Sequence, residues 1–173
     1  MNSKPRILII VGSKSDHHVI EGATKLLEEF GVSYQLTVSS AHRTSTRTIK
    51  IASEAADKGF RVIIAAAGWS AGLPGAIAAE TILPVIGVPV PSSVLLGMDA
   101  MFSMVQMPPG VPVATMAVGK GGAKNAALFA LEVLAGEYHE LKAKLKNYKS
   151  ELAAKVTQDA QEFEKIFKPD SCS

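Results

Sequence analysis

The stretch RILIIVGSKSD, residues 6–16, decides the fold. Residues 6–11 form an apolar run without polar alternation, and the chain then breaks at Gly12 into a small, hydroxyl-rich loop, Gly12-Ser13-Lys14-Ser15-Asp16. A continuous apolar strand suits a parallel sheet covered on both faces. The residues that follow supply the first cover. Val19, Ile20, Ala23, Leu26, Leu27 and Phe30 recur at helical spacing, and Gly31 is placed to cap that helix.

Working outward, further β-branched, apolar runs lie at 34–38, 62–67, 85–88 and 113–118. Between them, Ile49, Ala52 and Ala56 mark a second helix ending near Gly59, and 73–82 and 123–134 read as two more. Strand–helix alternation predicts an α/β fold with a parallel sheet. Seven of the nine prolines lie between Pro74 and Pro112. Apolar residues run through this stretch and 95–107 reads as helical, so it is expected to be packed rather than a linker. From Glu137 the composition shifts. Tyr138, Leu141, Leu145, Tyr148, Leu152, Val156 and Phe163 form an amphipathic stripe among lysines and acids. A helix of this kind needs a surface to lie on, its own sheet or a neighbouring subunit. The expected organisation is a single domain: an α/β catalytic unit over 1–136, and a helical extension over 137–168 packing on neighbouring subunits.

Composition narrows the function. A chain of 173 residues, 47% hydrophobic, is long enough to bury a core without disulfides or metals and is not disordered. No apolar run reaches about 18 residues, the length that marks a membrane span. The early run 7–11 is too short for a signal-peptide core. A cytoplasmic protein is therefore expected. A net charge of +2, without basic–aromatic clusters, gives no support for nucleic-acid binding. The single cysteine, Cys172, excludes an intrachain disulfide and a Cys-based zinc site.

In a parallel sheet, ligands bind beyond the carboxyl ends of the strands. The loops after strands one, two, three and five are expected to converge there. The first, around Ser13 and Ser15, enters a helix, whose free N–H groups suit a phosphate. Asp16 is positioned either to bond a ribose diol or, like Ser15, to cap the helix. The loop is neither a dinucleotide fingerprint nor a Walker A sequence. The second loop places Ser40, His42 and Arg43 within four residues. Arg43 and Ser40 are donors for a phosphate, and His42 can move protons near neutral pH. The third runs Gly68-Trp69-Ser70-Ala71-Gly72-Leu73-Pro74-Gly75, and the fifth Gly119-Lys120-Gly121-Gly122-Ala123. No Ser–His–carboxylate triad is readable. His17 and His18 point to different helix faces, and His139 lies among polar residues, so no metal site is expected.

Gly12-Ser13-Lys14-Ser15-Asp16, Ser40-Ala41-His42-Arg43-Thr44, Leu73-Pro74-Gly75, the segment 83–90, Val105-Gln106-Met107-Pro108 and Gly119-Lys120 resemble the PurE family in order and spacing. That family comprises 5-(carboxyamino)imidazole ribonucleotide mutases of purine biosynthesis and carboxylases that use aminoimidazole ribonucleotide and CO2 directly. The resemblance implies a three-layer, flavodoxin-like α/β fold with helices on both faces of a parallel sheet. It implies a homo-octamer with sites near subunit contacts, a ribonucleotide substrate and CO2, and no metal or other cofactor. In the mutase reaction the N-carboxylate leaves as CO2, which C4 of the imidazole captures as a proton leaves C4. His42 occupies the position of the proton carrier. Ser13, Asp16, Ser40 and Arg43 match the positions expected to hold ribose and phosphate, and Ser15, Ala41, Gly68, Trp69, Ser70, Gly72 and Leu73 are the other expected substrate-binding residues. The Ser-Ala-His-Arg-Thr form resembles the mutase class.

The third loop departs from the family pattern. Mutases usually carry Gly-Gly-Ala-Ala-His-Leu-Pro-Gly there, whereas this chain has Trp69 for a small residue and Gly72 for a second histidine. Pro91-Ser92-Ser93 also replaces the usual Gln-Ser segment. In one reading Trp69 fills space left at Gly72. In another the loop serves a different heterocyclic ribonucleotide, carboxylated or decarboxylated by a PurE-like paralogue. A third reading is a non-catalytic ribonucleotide-binding protein, against which His42 speaks, because binding alone needs no base.

Overall fold

The computed structural model describes residues 6–167; Cys172 lies outside them. Five strands, β1 (Ile7–Val11), β2 (Tyr34–Val38), β3 (Val62–Ala67), β4 (Val85–Pro89) and β5 (Ala114–Thr115), form one sheet. The helices are α1 (His17–Glu29), α2 (Ser45–Ser53), α3 (Leu73–Ala78), α4 (Met98–Val105), α5 (Gly119–Leu134) and α6 (His139–Ile166). The strand order is β2-β1-β3-β4-β5, with every pairing parallel. This is the flavodoxin-like order, whose direction reverses between β1 and β3.

The reason is visible in burial. Every residue of β1, β3 and β4 is buried. Ile7, Ile9 and Val11, with Val62, Ile64 and Ala66, pack beneath α1 and α5. Leu8 and Ile10, with Ile63, Ala65 and Ala67, join the opposite layer with Ala52, Ile77 and Met104 of α2, α3 and α4. Two apolar faces demand two helical layers, and the chain supplies them. β2 is the edge. Its outer side is guarded by Arg47, whose Nε and Nη2 donate to the Val38 carbonyl at 3.3 Å and to Thr37 Oγ1 at 3.1 Å. Among the described residues, no helix is long and apolar enough to cross a membrane.

Several boundaries differ from the sequence expectation. The fifth strand shrinks from 113–118 to Ala114–Thr115, at the sheet edge where β4 is its single neighbour. The third helix stops at Ala78 rather than 82, where the chain turns through Thr81, whose Oγ1 accepts from the Leu83 N–H at 3.3 Å, toward Pro84. The fourth begins at Met98, not 95, because Leu96 and Gly97 have left-handed backbones with φ of +52° and +89°. α5 begins four residues earlier than expected, at Gly119. Gly122 permits this, because a Cβ there would overlap the Ala117 carbonyl.

The first half of α6 lies on its own chain. Leu141 and Leu145 are buried in the α1/α5 layer, and Tyr148 meets Phe30 edge to face at 5.8 Å. Lys144 Nζ donates to the Phe30 carbonyl at 2.7 Å, at the end of α1. Beyond Ser150 the described helix is exposed, including Leu152, Val156, Phe163 and Ile166.

The Gly122 contact yields a stability prediction. Gly122→Ala must displace the Ala117 backbone, and overpacking of this kind costs about 2–3 kcal/mol. Urea unfolding checks it, and a loss below about 0.5 kcal/mol, the scale of an ordinary surface substitution, would contradict it.

Candidate active site

The loops after β1, β2 and β3 meet at the carboxyl edge of the sheet, around the switch point. The first is a tight 3-10 turn, Lys14–Asp16, closed by a reciprocal cap. Ser13 Oγ accepts from the Ser15 N–H at 3.4 Å, and Asp16 Oδ2 accepts from the Ser13 N–H at 3.0 Å. Ser15 Oγ and Ser13 Oγ are 2.9 Å apart. Asp16 stands at the N-cap position of α1 without a side-chain bond to that helix, and its carboxylate closes the reciprocal cap on Ser13. Ser13 is the cap, and Asp16 locks the loop. Asp16 is 6% exposed. Burial pushes its carboxyl above the usual value, opposed by hydrogen bonds from Ser15 and Ser13 and by the charges of His18 and Arg43.

The second loop is held from within. Thr44 Oγ1 accepts from the Ser40 N–H and donates to the Ser40 carbonyl, both at 3.0 Å. Ser40 Oγ accepts from the Arg43 N–H at 3.2 Å. Underneath, the Ser39 and Thr48 hydroxyls bond at 2.8 Å and tie the loop to α2. The backbone of the turn is thus satisfied internally, while the His42 and Arg43 residues are exposed.

The third loop is clamped on both sides. A Cβ at Gly68 would coincide with the Ser92 hydroxyl, so glycine is needed for that close approach. The Gly72 N–H donates to the Ser70 carbonyl at 2.7 Å. Between them Trp69 adopts φ +56° and remains 64% exposed. Gly72 faces His42, whose Nε2 lies 3.3 Å from where a Cβ would stand.

Together these loops enclose a cavity of about 430 Å³. All twelve residues nominated from sequence line it: His42, Ser13, Ser15, Asp16, Ser40, Ala41, Arg43, Gly68, Trp69, Ser70, Gly72 and Leu73. A second, more open hollow adjoins it and adds Lys14 and Arg47 to Arg43, making a cationic approach. The lining brings together hydroxyl and guanidinium donors, a buried carboxylate and an imidazole that faces Gly72.

One expectation is corrected. The loop after the fifth strand does not line the cavity. β5 is the far edge of the sheet, and Gly119–Ala123 are the first turn of α5, with Gly119, Gly122 and Ala123 buried. The loop after β4 takes part instead, through Ser92. Sequence reasoning also missed Gly12, Ala67 and Ala71 as wall residues. Ser92 had a signal, since Pro91-Ser92-Ser93 directly follows the fourth apolar run.

Fold and site define a class: a flavodoxin-like α/β protein with a polar, hydroxyl-lined pocket and one histidine at the sheet's switch point. The family model described as AIR carboxylase matches residues 6–155. The chain is 49% identical over 165 residues to the N5-carboxyaminoimidazole ribonucleotide mutase of Pyrococcus horikoshii, covering 95% of this chain and 92% of that protein. It is 46% identical over 148 residues to the mutase of the same name from Escherichia coli K12, covering 86% and 88%. The crystal structure of Treponema denticola PurE superimposes with a TM-score of 0.82 at 28% identity, covering 95% of this chain and 99% of that one. The chain belongs to the AIR carboxylase, or PurE, family.

The raised Asp16 pKa has a pH signature. In the folded state Asp16 holds its proton above the ordinary value of 3.8. The stability it contributes is fully present below that value and is lost as pH rises through the raised one. Asp16→Asn retains an acceptor for the Ser13 N–H and removes the buried charge. Its melting temperature relative to wild type is expected to improve from pH 3.5 to pH 7. A pH-independent difference would contradict the burial argument.

Proposed function

We propose that this protein isomerises 5-(carboxyamino)imidazole ribonucleotide to its C4-carboxylated isomer in purine biosynthesis. The observation that carries the reading is that His42 lines one cavity with the Ser13–Asp16 loop and Arg43, and that Gly72 places no side chain against its Nε2. The phosphate is held by Ser13, Ser15, Ser40 and the Arg43 guanidinium, and Asp16 receives the ribose. That leaves the five-membered ring toward His42. The N-carboxylate departs as CO2 and the nitrogen regains a proton. CO2 stays in the pocket, C4 bonds to its carbon, and the C4 proton is removed to restore the aromatic ring. One proton is taken up and one released, so a single imidazole serves both transfers. The reaction is balanced without oxidant, reductant or a second substrate.

The high identity to mutases over most of the chain supports this reading above a paralogue with another heterocycle or a binding protein. A phosphorylated substrate does not readily leave the cell, which supports action in the cytoplasm. The exposed apolar half of α6, together with exposed Val94, Leu95 and Leu96, supports assembly of copies, for which the homo-octamer of the family resemblance is the proposed form.

Two experiments test these statements. Purified protein is offered 5-(carboxyamino)imidazole ribonucleotide, or aminoimidazole ribonucleotide with bicarbonate. Rapid conversion of the first is expected, and His42→Asn should lower kcat at least about 100-fold. Conversion of the second alone would establish a direct carboxylase, and turnover of neither would overturn the reading. For the assembly, a chain ending at Ser150 keeps Leu141, Leu145 and Tyr148 on their own core but loses the exposed half of α6. Its light-scattering mass should fall below that of the full-length assembly after allowance for the shorter chain. An unchanged number of copies would remove the exposed half of α6 from the assembly.

A further inference from the structure

We infer that Trp69 is the specificity wall of the pocket, an indole surface that stacks on the substrate's heterocycle and leaves its sugar phosphate to the other loops. The inference rests on the reading that the ligand is a heterocyclic ribonucleotide. Three observations carry it. First, Trp69 is 64% exposed yet lines the cavity, whereas its neighbours Ala71 and Leu73 are each 2% exposed. The indole therefore contributes little to the core and borders the cavity. Secondly, its backbone is left-handed at φ +56°, a conformation bulky residues avoid. The clamp between Gly68 and Ser92, with the Ser70–Gly72 hydrogen bond, fixes the turn that presents it. Strain of this kind is retained where the surroundings and the site require it.

Thirdly, the remaining lining is unsuited to a flat ring. Ser13, Ser15, Ser40, Asp16 and Arg43 are polar, and the apolar Leu73 is buried. Trp69 offers the largest aromatic face among the described lining residues, beside the smaller imidazole of His42. Offset stacking on that face is favourable beyond simple burial. Gly72 complements it. With no Cβ at Gly72, no side chain crowds His42 Nε2 from that residue.

Trp69 is the chain's single tryptophan, so its fluorescence reports on the site directly. Aminoimidazole ribonucleotide should quench that emission, while ribose 5-phosphate should bind with no comparable change. Trp69→Asn keeps a residue that tolerates the left-handed backbone and removes the indole. It should raise Kd for the ribonucleotide, and KM, by about 3- to 10-fold, leaving Kd for ribose 5-phosphate unchanged. Trp69→Phe should recover most of the loss. Equal weakening of both ligands, or of neither, would overturn the stacking role. So would a lowered light-scattering mass in Trp69→Asn with parallel loss of both affinities, which would make Trp69 a contact between copies. If wild-type protein turns over its substrate while Trp69→Asn shifts neither constant, the stacking inference alone fails. If wild type neither binds nor turns over a ribonucleotide, the functional reading fails and this inference with it.

Discussion

The double burial of the adjacent strands β1 and β3 is the constraint from which the rest follows. Their side chains alternate between two helical layers, and each residue from Ile7 to Val11 and from Val62 to Ala66 is within 2% of complete burial. Parallel pairing in register, with Val11 opposite Ala66, makes both strands end at one level. The Gly12 N–H then donates to the Ala66 carbonyl at 2.9 Å, so the first loop leaves the sheet beside the third. The switch point thus becomes a crevice rimmed by the loops after β1, β2 and β3, with Ser92 from the loop after β4. A polar residue within either strand would place an unmet donor or acceptor in the core and disturb both layers at once.

The loops are ordered mainly by their own polar groups. Ser13 and Asp16 close the first, Ser40 and Thr44 the second, and Gly68 against Ser92 the third. The first two closures satisfy loop backbone N–H groups, and the third is a close steric fit. The same arrangement carries a burden. Asp16 is a buried carboxylate that favours its proton, and Trp69 is a strained, exposed indole. Both features oppose stability and both face the cavity, the pattern of a site maintained for its chemistry.

The sequence made the layers legible because burial leaves a one-dimensional trace. The runs at 7–11 and 62–67 contain no polar residue, and the α1 stripe from Val19 to Phe30 keeps helical spacing. The loops that follow the first two apolar runs carry Asp16, His42 and Arg43, and all three line the same cavity. What remained hidden depends on contacts between distant segments. The start of α5 is permitted by the Gly122–Ala117 approach, and the start of α4 by two left-handed residues. The fifth loop looked equivalent to the others by its glycines, yet strand order sends β5 to the outer edge and gives its place to Ser92. The internal lock made by Asp16 was likewise invisible, since a cap, a diol ligand and a loop closure share one residue type. Gly72 read as the loss of an imidazole. In three dimensions it is also the space beside His42 Nε2.

The central claim is that this crevice moves a carboxyl group within one bound substrate. The most direct measurement uses substrate carrying carbon-13 in its N-carboxylate, turned over in excess unlabelled bicarbonate with carbonic anhydrase present. Mass spectrometry then reads the C4-carboxylated product. The proposed recapture of CO2 within the pocket predicts that most of the label is retained. A product whose label has fallen to that of the surrounding bicarbonate would contradict the account and would describe an open carboxylase site.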